Sequence, residues 1–193
     1  MNLLSLCQKS RSYRKFNEGR RVTKQELLEL INLARFAPSS VNRQALRFMP
    51  IYTQEKCALV FPALHWAGLL KNWEGPKEGE RPAGYILILT KLEIAKDMRF
   101  DCGIAAQTIM LGANEKGLGG CILGAIDRDT LYQKLNIDKE KYSIDLCLAI
   151  GEPNQNVKIV PVKESTDYYV DENEAHCVPK LELIDLIVGE NDE

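Results

Sequence analysis

Strands alternating with helices along the chain predict an α/β or α+β fold built on a central sheet. Three observations carry that reading. Residues 85–90 (Tyr-Ile-Leu-Ile-Leu-Thr) form a continuous apolar run, the pattern of a strand buried on both faces. Residues 144–150 form a second buried strand, ending at Gly151. Before and between them lie segments whose apolar residues recur at helical spacing.

The elements follow in order. Residues 3–9 read as a short helix. Thr23 caps the next helix, and Glu26 three positions on completes a capping box. Leu27, Leu28, Leu30, Ile31 and Ala34 form its apolar stripe, and Pro38 ends it. Residues 48–52 read as a strand in which Pro50 demands an edge or a bulge. Residues 54–61 and 63–70 read as helical, and 71–82, rich in Gly, Pro and charge, as a loop. Asp101 is expected to cap a helix carrying Ile104, Ala105, Thr108, Ile109 and Ala113 on one side, with Gly117 as its C′ residue. Ala105, Ala106, Gly112 and Ala113 are small enough to admit a second helix closely. A glycine-punctuated turn, residues 117–124, enters a short strand, and Asp127 caps a brief helix through Leu135. Residues 168–178 read as a hairpin turning near Asp171-Glu172-Asn173, and a last helix is expected after Pro179.

A length of 193 residues fits one domain spanning 1–193. At 45% hydrophobic and 27% charged, the composition is that of a soluble globular protein. A net charge of -2 argues against a nucleic-acid partner, and the apolar runs are too short to span a bilayer. The N-terminal residues lack the charged and apolar regions of a signal peptide, so the expected location is cytoplasmic. The six cysteines show neither zinc-ligand nor Cys-x-x-Cys spacing and read as free buried thiols.

Two short runs concentrate hydrogen-bonding groups. Arg11-Ser12-Tyr13-Arg14-Lys15-Phe16 packs two guanidinium groups and a hydroxyl into four residues, which suits a phosphate monoester. Ala37-Pro38-Ser39-Ser40-Val41-Asn42-Arg43-Gln44 is a polar loop whose amides and hydroxyls suit the edge of a flat polar ring. Together they fit a mononucleotide-like cofactor. Gly117-Leu118-Gly119-Gly120 follows a helix and opens a strand, the reverse of a dinucleotide-binding fingerprint. His65 and His176 have no companions at ligand spacing, and Ser39-Ser40 has no nearby base. No side chain is nominated as a catalytic acid, base, nucleophile or metal ligand.

These blocks resemble the nitroreductase family of FMN-dependent oxidoreductases. Residues 11–16 are similar to that family's Arg-Ser-x-Arg-x-Phe opening, and 37–44 to its Ala-Pro-Ser-x-x-Asn-x-Gln loop. Asp101-Cys102-Gly103-Ile104-Ala105-Ala106-Gln107 with residues 117–121 resembles its central helix and glycine turn. Leu148-Ala149-Ile150-Gly151-Glu152-Pro153 resembles its closing strand and Gly-x-Pro. Ser10 stands where many members have an arginine, and Ala45-Leu46 where many have Pro-Trp.

The resemblance implies an α+β fold, a central and mostly antiparallel sheet flanked by helices, in an intertwined homodimer with FMN at the interface. It implies that Arg11, Ser12 and Arg14 hold the phosphate or the ring's polar edge. Pro38, Ser39, Ser40, Asn42 and Gln44 would line the ribityl chain and ring, Ile122, Leu123 and Gly124 would pass the flavin's face, and Lys180 would reach the phosphate. The implied reaction moves hydride from NADH or NADPH through flavin N5 to a nitroaromatic, a quinone or a similar flat acceptor. The alternatives are a flavin-dependent dehalogenase, a benzimidazole-forming relative, or a flavin-binding protein with little turnover.

Overall fold

The two apolar runs become the middle of a four-stranded antiparallel sheet of order β1-β2-β4-β3. Its strands are β1 (Leu46–Ile51), β2 (Gly84–Lys91), β3 (Gly119–Leu123) and β4 (Tyr142–Gly151). This is a computed structural model, and it describes residues 2–71 and 73–189. β2 is buried along all but its last residue, as a strand with neighbours on both edges and both faces should be. β1 is an edge strand, so Pro50, opposite Ile86, leaves no interior ladder bond unmade.

The helices are α1 (Leu3–Lys9), α2 (Lys24–Ala34), α3 (Gln54–Val60), α4 (Arg99–Glu115) and α5 (Arg128–Lys134). The expected capping box opens α2: the Thr23 hydroxyl accepts the Glu26 N–H at 3.2 Å, and the Glu26 carboxylate accepts the Thr23 N–H at 2.8 Å. α4 closes in a Schellman motif, with Leu118 N–H donating to Ala113 O at 2.9 Å and Gly117 N–H to Asn114 O at 3.2 Å. Gly117 takes the left-handed φ of 75° that this motif requires. Leu27 and Leu30 of α2, Ile109 of α4, Ile86 and Ile88 of β2 and Leu148 of β4 form one buried cluster. Each such side chain contributes about 1.5–3 kcal/mol by leaving water. Gly112 lets α2 and α4 approach closely, since a Cβ there would run into Leu33.

Contacts divide the chain into two compact units. The first comprises the chain through Trp66 and Glu74–Asn154; the second comprises Ala67–Trp73 and the chain from Gln155 onward. The second unit holds a three-stranded sheet, order β5-β7-β6, made of β5 (Val157–Pro161), β6 (Tyr169–Val170) and β7 (His176–Lys180). β6 and β7 are the expected hairpin, and the Asp171 carboxylate accepts the N–H groups of Asn173 and Ala175 to close the turn.

Three local expectations are corrected. Residues 63–70 are not helical: beyond a 3₁₀ turn (Phe61–Ala63), Leu64 bridges Ile126 and His65 N–H donates to Ala125 O. Tertiary pairing there overrides the local helical pattern. Pro179 does not precede a helix but lies within β7, at a point that β6 does not reach; a 3₁₀ turn (Leu183–Leu186) follows. Asp101 is not the N-cap of α4, which begins two residues earlier behind Met98.

Candidate functional site

β3 has one free edge, and the N-terminal segment lies along its start. Ser12 forms a parallel bridge with Gly120, and Tyr13 N–H donates to Gly120 O at 2.9 Å. Glycines make this approach possible: a Cβ on Gly119 would meet the Tyr13 ring and Pro153, and one on Gly151 would meet the Phe16 ring. Tyr13, Arg14 and Phe16 are buried, while Ser12 is exposed. Arg11 Nη2 donates to Cys7 O at 2.7 Å, at the end of α1. Its Nε is buried with no acceptor among the described residues, which leaves a charged donor to be satisfied. Arg14 Nη1 donates to Ser12 O at 3.3 Å. Burial pushes the Cys121 thiol up, against the opposing pull of the Arg14 guanidinium and the Ser12 hydroxyl beside it.

The outward main chain of Gly120 sets that of Ile122, two residues on, toward the same edge. The Ile122 side chain is exposed between buried Cys121 and Leu123. Arg128 secures the turn beyond it, donating from Nε to Ile144 O at 2.8 Å and from Nη2 to Gly124 O at 3.4 Å.

Loop 38–44 is built differently. Val41, Asn42 and Gln44 have φ of 49°, 54° and 49°, all left-handed and none of them glycine. Such residues cost about 1–2 kcal/mol each, and a β-branched Val is a rare occupant. Bonds inside the loop hold the shape: Asn42 N–H to Ser39 O at 2.9 Å, Arg43 N–H to Ser40 O at 3.1 Å and Gln44 N–H to Ser39 Oγ at 3.0 Å. From outside, the Asp101 carboxylate accepts the Ser40 N–H, at 3.3 and 3.2 Å to its two oxygens. A cavity of about 380 Å³ opens here, and Pro38, Ser39, Gln44, Arg47, Asp101 and Ala105 are among its lining residues. Retained strain in an exposed polar loop is a pointer to a binding role.

Ser12 and Arg14 thus lie by Gly120 and Cys121 at the start of β3, with Arg11 one residue before them; Ile122 and Leu123 follow along that strand and Gly124 just past its end, while Pro38, Ser39, Ser40, Asn42 and Gln44 lie ahead of β1. The two groups do not meet within one chain. β1 and β3 are opposite edges of the sheet, three strand spacings or about 14 Å apart. α4 spans the same interval: Asp101 sits by Ser40 and Met110 by Gly120, about 13 Å along the helix axis. Lys180 belongs to the second unit, where it is the exposed last residue of β7, in register with Pro161.

Sequence reasoning did not find the roles of Asp101 and Arg128. An acidic residue in a helix's first turn is ordinary, and only the fold shows that Asp101 faces a loop 61 positions earlier. Nothing in the residues around Arg128 signals bonds to four carbonyls.

The sequence profile of the Nitroreductase family matches residues 8–152. YodC of Bacillus subtilis (strain 168), provisionally named an NAD(P)H nitroreductase, is 23% identical over 181 residues, covering 78% of this chain and 89% of that protein. Among solved structures, a Desulfovibrio desulfuricans protein, provisionally described as a nitroreductase and solved in complex with FMN, superposes with a TM-score of 0.72 at 21% identity, covering 100% of this chain and 99% of that one. An FMN-dependent nitroreductase of Clostridium difficile R20291 gives 0.64 at 22% identity, covering 99% and 100%.

Proposed function

This chain belongs to the nitroreductase family, and from that premise we propose an FMN-dependent oxidoreductase that takes hydride from NADH or NADPH and passes it to nitroaromatic, quinone or similar flat acceptors. The observation that carries the reading is Arg11: a guanidinium whose Nε is buried with no acceptor among the described residues, next to an exposed Ser12 that bridges Gly120 at the sheet's edge. A charged donor left over at such a place suits an anionic ligand with several oxygens.

The residues fit the cofactor. Arg11, Ser12 and Arg14 would hold its phosphate or the ring's polar edge. Ser39, Ser40, Asn42 and Gln44 would bond the ribityl chain and ring, with Pro38 packing against them. The Ile122 main chain, turned to the strand's edge, would offer a donor to the ring, and Leu123 and Gly124 would continue that wall. Bound FMN supplies the hydride chemistry. The protein's own work is to bind, to orient and to place donors where negative charge develops.

Two groups set beside opposite edges of the sheet serve one cofactor most simply when each site takes one group from each of two chains. We therefore read the working form as a homodimer with FMN at the interface. α4 also leaves Phe100 and Ile104 exposed, at 83% and 42%, a face that suits burial against a second copy. None of the described helices is long and apolar enough to cross a membrane.

Absorbance of the purified protein tests the reading. A flavin band that NADH or NADPH bleaches, and that a quinone or nitroaromatic restores through many turnovers, is the expected result. A protein that ignores added FMN contradicts it. A single bleaching without turnover would favour a storage role, and halide release from halogenated aromatics would favour dehalogenation.

A further inference from the structure

We propose that Asp101 is a positioning residue of the flavin site: its buried carboxylate holds the backbone of Ser40 and so keeps loop 38–44 in its binding shape. This rests on the reading of that loop as part of the FMN site. Asp101 is 5% exposed, and both its oxygens face the Ser40 N–H, at 3.3 and 3.2 Å. It sits in the first turn of the 17-residue α4, where the helix's positive end favours a carboxylate. The loop it holds has three left-handed residues that are not glycine. The loop's remaining bonds run inside it or to Arg47 of the following strand, so they fix its curl without fixing it to α4.

The carboxylate lines the same cavity as Pro38, Ser39 and Gln44. Rotation of the Ser40 peptide would swing the Ser39, Asn42 and Gln44 side chains together. Asp101 therefore acts on the ligand through the loop.

The test compares wild type, Asp101→Ala and Asp101→Asn by hydrogen exchange and by FMN titration of the full chain. Asp101→Ala is expected to speed exchange across residues 39–44 about tenfold and to weaken FMN binding about tenfold, the loss of one charge-assisted hydrogen bond. β2 and β4 should keep their protection. Asp101→Asn, which keeps the shape and one acceptor oxygen, should show both changes at about threefold, and it carries the test if the alanine variant does not fold. Exchange in 39–44 that is unchanged in the variants overturns the proposal, and so does exchange that rises equally in β2 and β4. A wild type that binds FMN while Asp101→Ala binds it as tightly overturns this role alone. A wild type that ignores FMN overturns the flavin reading, and this role with it.

Discussion

Segment 11–16 and loop 38–44 both present polar groups to solvent, but they are held in opposite ways. The first is threaded against a sheet. Ser12 pairs with Gly120, Tyr13 and Phe16 are buried, and Phe16 N–H donates to Glu80 O at 3.0 Å. None of its residues has a left-handed φ, Tyr13 N–H also donates to Arg11 O at 3.0 Å across a tight turn at Ser12, and its precision comes from packing. The second is exposed and left-handed at three positions, held by its own hydrogen bonds and by one carboxylate. A ligand group can be set by a rigid frame or by a strained turn with a tie. The first fails when the frame is overfilled, the second when the tie or the strain is removed.

The largest expected effect is on the frame. Gly120→Ala would drive a Cβ into the Ala149 carbonyl oxygen and against Met110. It should cost about 3 kcal/mol of folding stability, the upper end for overpacking, and abolish FMN binding with it; chemical denaturation is the measurement. Arg11→Ala leaves the frame standing and removes one charged donor. It should weaken FMN binding by about 1.5–3 kcal/mol with little change in denaturation midpoint, as flavin fluorescence titration would show. Unchanged affinity would withdraw Arg11 from the site.

In the loop the sign reverses. Val41 is 84% exposed, so Val41→Gly loses little packing and relieves a left-handed β-branched residue. Relief of about 1–2 kcal/mol, less about 0.4–1 kcal/mol of added unfolded-chain entropy, gives a net stabilisation of about 0.5–1 kcal/mol. FMN binding should weaken a few-fold as the loop loosens. A variant both more stable and tighter-binding would show that the strain is incidental.

The last effect shows only in acid. The Arg20 guanidinium beside Glu26, together with bonds to Thr23, lowers this carboxyl from 4.5 to about 2. A carboxyl held down in the folded state stabilises it at pH values above 4.5, and that contribution is lost as pH falls toward about 2. Glu26→Gln should flatten the loss of stability across that window in acid titration, without changing FMN binding at neutral pH.

The frame was more legible in the sequence than the tie. Continuous apolar runs fix β2 and β4, and glycines at 117, 119 and 120 mark where α4 must stop and the chain turns into β3. The capping box of α2 and the edge position of Pro50 follow from local chemistry. Residues 63–70 went otherwise because Leu64 and His65 find partners at Ile126 and Ala125, about sixty positions away, which no local pattern encodes. The same holds at the site. Arg11, Ser12 and the polar loop stand out by composition, whereas Asp101 acquires its role only when the fold brings α4 to Ser40. That the two groups lie on opposite sheet edges is likewise a property of strand order, which the runs of residues do not carry.

Mixed dimers test the central claim most directly, because it assigns the two groups of each flavin site to different chains. Protomers carrying Arg11→Ala and protomers carrying Asn42→Ala are each expected to bind FMN poorly alone. Combined, they should regain one tight site per heterodimer, since one interface then unites an intact Arg11 with an intact loop. Heterodimers that bind no FMN tightly would contradict the account and place both groups of each site in a single chain.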